Sequence, residues 1–506
     1  MTDPRRLVDK LWAYASVLRD DGVGTVDYTE QLTYLLFLKM AHERETRALR
    51  PERIVPPEYS WQRLLDADGA HLEHEYSRIL QGLGRESGTL GVVFRKAQNR
   101  VQDPAKLKRL IHDLIDAEQW SQTGVDIKGD AYESLLARGA EDVKSGAGQY
   151  FTPRPIIDAI VDCVRPSVAD TVTDPACGTG GFLLQAFEYA SRGAESFTPP
   201  QRAHLQKHLI HGVELVDGTA RLAAMNLLLH GAGEANGPSL IEVRDSLIAD
   251  PGRRWSVVLS NPPFGRKSSL TMVGADGREA REDLEIERQD FVVTTSNKQL
   301  NFLQHIATIL DINGRAAVVL PDNVLFEGGA GETLRRRLLR DFDLHTMLRL
   351  PTGIFYAGGV KANVLFFDKK PAGQHPWTTT LWIYDLRTNR HFTLKQNMLT
   401  RRDLDDFVQC FGTDRESRVA TERFRPFDYD ELIRRDKVNL DITWLRDESL
   451  ESSDNLPAPE VLAREIVDVL AAALTDFEAV ASSLEVDAAP ISRSSVPSDR
   501  STDWTM

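Results

Sequence analysis

Apolar residues in the first 145 positions recur at helical spacing. Leu7, Leu11, Ala15 and Leu18 fall on one face, and Leu32, Leu35, Leu36 and Met40 form the stripe of a second helix. A later helix has a start signal as well as a stripe: Asp103 can cap it, Pro104 suits its first turn, and Leu107, Leu110, Ile111, Leu114 and Ile115 face inward. From position 148 the texture changes. Short β-rich runs at 171–173, 209–213, 241–243, 257–259, 315–320 and 364–367 alternate with helical stretches, which predicts a doubly wound α/β sheet. Positions 424–444 read as an irregular polar and aromatic stretch. Beyond Pro457 and Pro459 an amphipathic helix is predicted over 460–484, with Leu462, Ile466, Leu470, Leu474 and Phe477 roughly aligned. Its apolar side needs a partner, either its own domain or another subunit. The expected division is an N-terminal helical domain over 1–145, an α/β domain over 146–410, a C-terminal helical extension over 411–486 and a disordered Ser, Pro and Asp-rich tail over 487–506.

Composition narrows the setting. A chain of 506 residues exceeds the size at which one core stops growing, and 42% hydrophobic residues allow a substantial core. Cys163, Cys177 and Cys410 lack C-x-x-C spacing, which argues against a disulfide framework or structural zinc and fits a reducing compartment, by default the cytoplasm. No run of eighteen apolar residues predicts a membrane span, and 1–6 lack the apolar segment of a signal peptide. The net charge of −14 is awkward for a protein gripping DNA alone, because Lys and Arg supply most non-specific affinity. Either a basic face is hidden in the average or a partner supplies much of the grip.

The candidate chemistry lies at strand ends. Asp174-Pro175-Ala176-Cys177-Gly178-Thr179-Gly180-Gly181-Phe182 sits between a predicted strand and a helix, the order of a nucleotide-type pocket whose glycines let backbone approach a ligand. The spacing is not G-x-G-x-x-G, and an acid at the head of the turn would repel a pyrophosphate but attract an ammonium or sulfonium. S-adenosyl-L-methionine meets that demand. The next strand ends in Glu214, placed for ribose hydroxyls, and Asp245-Ser246 follows a third strand toward the adenine edge. Upstream, Gly148-Gln149-Tyr150-Phe151-Thr152-Pro153-Arg154-Pro155 is suited to close over the methionine end.

Asn261-Pro262-Pro263-Phe264 follows the fourth strand. A planar amine shares its lone pair with the ring, so a catalyst must draw that pair out of conjugation. The Asn261 side-chain carbonyl and the Pro262 carbonyl can each accept one N–H as charge develops, and Phe264 can stack on a base. Tandem prolines fix two φ angles and hold the carbonyl rigidly. Asn-Pro-Pro is also an ordinary strand-ending turn; the ordered array of Asp174, Glu214, Asp245 and Asn261 on one rim favours the catalytic reading.

Other features carry two readings each. The polar segment 265–300, with Arg266 and Lys267, is a loop over a displaced strand or a surface insertion. Asn297, Asn301 and Phe302 are target-base contacts or a helix start with a core Phe. The Arg335-Arg336-Arg337 and Arg340 patch is a solvated helix face or a phosphate contact, with the solvated face expected. His204, His208 and His211 do not share an element, so no metal site is expected. Cys177 reads as small packing, not as a nucleophile.

Together, 148–155, 174–183, 261–264, Pro351-Thr352-Gly353-Ile354-Phe355 and Gly359-Val360-Lys361-Ala362-Asn363-Val364-Leu365-Phe366-Phe367 resemble the modification subunit of type I restriction-modification systems, an N6-adenine DNA methyltransferase family. The resemblance runs from the N-terminal helices to about 480. It implies an S-adenosylmethionine-dependent methyltransferase sheet, cofactor contacts from Gln149 to Arg154, from Asp174 to Gly181 and at Glu214, and catalysis at Asn261 to Phe264. It also implies that two such subunits join one sequence-specificity subunit on DNA, and that a separate ATP-driven restriction subunit can add cleavage. The chain lacks G-x-x-x-x-G-K-[ST], so it is not itself expected to be that motor. The Ala357-Gly358-Gly359 stretch departs from the family's pattern. N4-cytosine and protein-glutamine methyltransferases use related amine chemistry and stand as alternatives.

Overall fold

In the computed structural model the helix predicted from Asp103 forms as expected. Asp103 Oδ1 accepts from the backbone N of Ala105 at 2.8 Å, and Leu107, Leu110, Ile111, Leu114 and Ile115 are all buried. The structure describes residues 12–14, 25–47, 53–120, 152–264, 269–273, 279–283, 285–355, 361–393 and 397–446. The chain divides into two units, Met1–Leu445 and Arg446–Met506. The predicted helix over 460–484 and the tail lie outside the described residues, as do Leu7, Leu11, Ala15 and Leu18.

The second predicted helix, α1 (Thr25–Arg47), buries Leu32, Leu35, Leu36 and Met40, but also Gln31, Lys39 and Glu43. It is a central helix instead of a one-faced one, and its buried polar groups are satisfied. Lys39 pairs with Asp116 at 2.7 Å, and Gln31 donates to the Gln98 carbonyl at 2.9 Å. Beside it α2 (Gly69–Leu83), capped by Asp68, turns Leu72, Tyr76, Ile79 and Leu83 inward.

Nine strands form the main sheet, in the order β11-β10-β8-β9-β7-β4-β1-β2-β3. They are β1 (Val172–Asp174), β2 (Ile210–Glu214), β3 (Ile241–Val243), β4 (Trp255–Ser260), β7 (Leu310–Pro321), β8 (Phe342–Arg349), β9 (Ala362–Lys369), β10 (Thr380–Asp385) and β11 (Phe424–Asp428). A separate antiparallel hairpin, β5 (Ser269–Val273) with β6 (Glu279–Asp283), occupies part of the polar segment 265–300. Strands β3, β2, β1, β4 and β7 are parallel, while β9 is inserted antiparallel between β7 and β8. Chain order reverses between β1 and β4, where open α/β sheets bind ligands.

Alternation along the central strands feeds two cores. Val257, Leu259, Ala317 and Val319 join Ile156, Leu183 and Ala223 of α3 (Arg154–Val164), α4 (Gly181–Ala190) and α5 (Asp217–Leu229). Val258, Ala316, Val318 and Leu320 join Leu303, Val324 and Leu338 of α6 (Lys298–Ile309), α7 (Asn323–Phe326) and α8 (Ala330–Asp341). The N-terminal helices lock onto α5: Arg221 pairs with Glu30 at 2.8 Å, and Arg44 donates at 3.0 Å to the carbonyls of Leu228 and Leu229 at its C-terminal end.

Two expectations change. The stretch 424–444 is not wholly irregular, because β11 closes the sheet edge: Phe424 is buried and stacks on Trp382 at 4.8 Å, while Arg425 and Pro426 face outward. Proline is tolerated there because an edge strand leaves donors unpaired anyway. The sheet therefore runs past position 410. Arg335 is not on a solvated helix face. Leu334, Leu338 and Leu339 carry it inward with them, and it is 2% exposed. Arg336 and Arg337 do face outward, paired along the helix with Glu332 and Asp341.

Candidate active site

Because β1, β2, β3 and β4 are parallel, their C-terminal ends share one rim. Asp174 ends β1, Glu214 ends β2, Asp245 lies two residues past β3, and Asn261 directly follows β4. Hydrogen bonds stitch these ends together. Asp174 Oδ1 accepts from Ser260 Oγ at 2.6 Å and from the backbone N of Ala176 at 3.0 Å. Glu214 accepts from the backbone N of Gly178 at 3.0 Å and of Val216 at 2.9 Å, so it braces the glycine turn from the neighbouring strand. Asp245 accepts from Leu247 N at 2.8 Å, and the buried Ser246 hydroxyl donates to the Pro175 carbonyl at 2.6 Å. Ser246 thus ties the β3 loop to the turn and does not present its hydroxyl to solvent.

The turn itself is built for close approach. Gly178 (φ +55°) and Gly180 (φ +84°) adopt the left-handed conformation, and at Gly178 a Cβ would meet nothing within 4 Å, so open space lies before the backbone. Thr179 accepts weakly from Asn226 Nδ2 at 3.4 Å, and Gly181 lets α4 pack close to Ile157 of α3. Cys177 is buried beneath, and its thiol is pushed well up by burial. Burial also pushes the Asp174 carboxyl from 3.8 up to about 7; the Ser260 and Ala176 bonds oppose that rise and Glu214 adds to it. Around Glu214 and Asp245 stand the exposed apolar residues Leu215, Val216, Val243 and Ile248, which the sequence reading passed over.

The Asn-Pro-Pro-Phe corner adjoins this turn. Asn261 Nδ2 donates to the buried Thr152 Oγ1 at 2.8 Å, which joins the corner to the segment leading into α3. Pro153 caps that helix, and Arg154 reaches α4 through Gln185 at 2.8 Å and Glu188 at 3.3 Å. Gln149, Tyr150 and Phe151 lie outside the described residues. Pro262 is buried, Pro263 is half-buried, and Phe264 packs edge-on against Phe355 at 5.7 Å. Phe355 is placed by the turn at Gly353 (φ +79°), where a Cβ would collide with the Phe392 carbonyl.

Residues that carry two readings make structural contacts here. Asn297 caps α6 by accepting from Gln299 N at 3.0 Å, Asn301 donates to the Thr295 carbonyl at 2.8 Å, and Phe302 is buried. His211 lies in β2 between Thr173 and Glu242, and His204 bonds the Asp170 carbonyl. Among the described residues no group of three or more His, Cys, Asp or Glu could hold a metal ion. Arg266 and Lys267 lie outside the described residues.

Parallel strand ends that carry an acidic glycine turn and an Asn-Pro-Pro-Phe corner at a chain-order reversal are those of a methyltransferase sheet. The N-6 DNA Methylase family model matches residues 123–448, and the HsdM N-terminal domain model matches 7–114. The chain is 36% identical to the type I restriction enzyme EcoKI methylase subunit of Escherichia coli K12, with 94% of each chain covered. It is 37% identical to the StySJI methylase subunit of Salmonella typhimurium LT2, again with 94% of each covered. Among solved structures it resembles the EcoKI M protein, with a TM-score of 0.53 and 33% identity over 95% of this chain and 96% of that one. A chain from a study of type I R-M system assembly and conformational transition aligns with a TM-score of 0.66 and 26% identity, covering 96% of this chain and 99% of that one. The protein belongs to the N6-adenine DNA methyltransferase family, among the methylase subunits of type I restriction-modification systems.

Proposed function

We propose that this chain methylates adenine N6 in DNA with S-adenosyl-L-methionine, at a sequence chosen by a partner specificity subunit. The observation that carries the reading is the single rim on which Asp174, Glu214, Asp245 and Asn261 meet, with open space before Gly178. The residues present suit the cofactor. Asp174, Pro175, Gly178, Thr179, Gly180 and Gly181 would hold its amino-acid end together with 149–154, Glu214 its ribose, and Asp245 with Ser246 the adenine side, near which in sequence Leu215, Val216 and Ile248 are exposed. When bound, the cofactor supplies an electrophilic methyl group.

The chain's own residues prepare the acceptor. The Asn261 side-chain carbonyl and the Pro262 carbonyl accept the two N6 hydrogens, and Phe264, held edge-on by Phe355, packs on a base taken out of the duplex. Proximity and orientation carry most of the rate. The net charge of −14 fits a subunit that delegates part of its DNA grip. We assign two copies of this chain to each specificity subunit, with an ATP-driven restriction subunit in the larger complex, and place the assembly in the cytoplasm. No described helix is long and apolar enough to cross a membrane. We keep 1–145, 146–410 and 411–486 as functional regions, the last carrying a subunit-docking helix and contributing β11 to the main sheet.

The raised Asp174 pKa makes this testable. Between 3.8 and about 7 the unfolded chain ionises this carboxyl while the fold keeps it protonated, so the ligand-free protein loses this contribution to stability as pH rises through that window. A cationic ligand beside Asp174 favours the ionised form, so binding releases a proton below about pH 7. In calorimetric titrations between pH 5 and 7.5, S-adenosylmethionine affinity is expected to rise by up to about tenfold per pH unit and level off near 7. Asp174→Asn should bind more weakly with a flat profile. A flat wild-type profile would remove Asp174 from the cofactor site.

A further inference from the structure

We infer that Gln299 is a positioning residue for methyl transfer: its side-chain amide fixes the Phe264 carbonyl and thereby the orientation of the Asn-Pro-Pro-Phe corner. The inference rests on the assignment of that corner to catalysis. Pro262 and Pro263 carry no N–H, so the middle of the corner cannot donate a backbone hydrogen bond to the sheet. Tethers at its two ends therefore contribute to its orientation. At one end Asn261 donates to Thr152. At the other, Gln299 Nε2 donates to the Phe264 carbonyl at 2.6 Å, and Gln299 is 1% exposed in the first turn of α6.

A buried amide with one bond could turn over and present its oxygen instead. This one cannot do so without losing a second bond. Gln299 Oε1 accepts from Asn323 Nδ2 at 3.0 Å, and Asn323 also donates to Glu327 Oε1 at 3.0 Å. Glu327 Oε2 accepts from Asn297 Nδ2 at 3.1 Å, and Asn297 caps the same helix that carries Gln299. The chain of polar groups runs from the corner through α6 to α7 and back to the start of α6. Each member fixes the donor and acceptor sense of the next. The same helix supplies an internal comparison: Gln304 is equally buried, but it grips the backbone of Val292 and Val293 and does not touch the corner.

Three variants in the complex reconstituted with its specificity subunit separate positioning from simple stability. Gln299→Met removes both bonds at similar volume. Gln299→Glu keeps the bond from Asn323 but, when ionised, turns an oxygen toward the Phe264 carbonyl; when protonated it can donate again. Gln304→Met removes comparable buried bonds away from the corner. Single-turnover methylation should fall about 10–100-fold in Gln299→Met at every pH, as expected for a misplaced reacting group. In Gln299→Glu the deficit should shrink as pH falls from 8 to 6, a trend wild type lacks. Fluorescence of 2-aminopurine at the target base, recorded without cofactor, should drop in Gln299→Met, while S-adenosylmethionine affinity stays within about twofold. Gln304→Met should lose comparable stability and keep its rate within about threefold.

A wild-type rate in Gln299→Met, or an equal rate loss in Gln304→Met, overturns the inference. Should Gln299→Glu fail to fold, the comparison of the two methionine variants decides alone. Asn261→Ala separates the two levels of the argument. If it is inactive and Gln299→Met is fully active, only the positioning role falls; if it is as active as wild type, the assignment of the corner falls first.

Discussion

Asn261→Ala is expected to reduce methyl transfer by about 10²–10³-fold while S-adenosylmethionine binding changes little. The substitution removes a side-chain carbonyl that can accept an N6 hydrogen as positive charge develops on the nitrogen, and it also releases Thr152. The cofactor turn does not depend on it. Gly178 is braced by Glu214, Ala176 by Asp174, and Pro175 by Ser246. The loss should therefore appear chiefly in the single-turnover rate, with at most a small rise in the cofactor dissociation constant from the release of Thr152. An unchanged rate would remove the residue from the reaction.

The second large effect is structural. Arg335→Met should destabilise the fold by about 3–5 kcal/mol, read as a lowered chemical-denaturation midpoint. Its guanidinium donates to four carbonyls: Val438 at 3.0 Å, Val324 at 2.8 Å, Glu327 at 2.6 Å and Lys437 at 2.7 Å. Burial pushes its pKa from 12.5 down to about 10, so the cation is held by those carbonyls and not by a carboxylate in hydrogen-bond contact. Methionine fills much of the volume but leaves the carbonyls without these donors. Because the four carbonyls belong to 324–327 and 437–438, the variant should also loosen the chain beyond β11. Arg336→Met, exposed on the same helix, should change stability by less than about 0.5 kcal/mol.

Arg335 also shows where sequence reasoning stops. Three consecutive arginines suggest a solvated face, and only the helix phase set by Leu334 and Leu338 turns one of them inward. The strands divide similarly. β4 and β7 were legible because Val257-Val258-Leu259 and 316–320 are continuous apolar runs buried on both faces. β8 was missed because Asp343, His345 and Thr346 interrupt its apolar residues, and their partners come from distant segments: Arg415 for Asp343, and Arg418 for Thr346. β11 was hidden by Pro426, an acceptable residue only at an edge.

The site was legible to the extent that its residues stand at strand ends. Asp174, Glu214, Asp245 and Asn261 each follow a short β-rich run, so chain order alone places them on one rim once those strands are parallel. The bonds that set their geometry were not legible, because they join residues 86 positions apart for Ser260 and Asp174, 109 for Asn261 and Thr152, and 35 for Gln299 and Phe264. Ser260 carried a local signal, a small polar residue closing an apolar strand directly before Asn261. Gln299 carried none, since a glutamine in a first helical turn reads as surface.

The central claim is that this rim methylates adenine N6. Its most direct test incubates the chain, reconstituted with its specificity subunit, with DNA and methyl-labelled S-adenosylmethionine, then digests the DNA to nucleosides and separates them. The label is expected in N6-methyladenine, and its yield should collapse in the complex carrying Asn261→Ala. Label in N4-methylcytosine, or in protein and not DNA, would contradict the account.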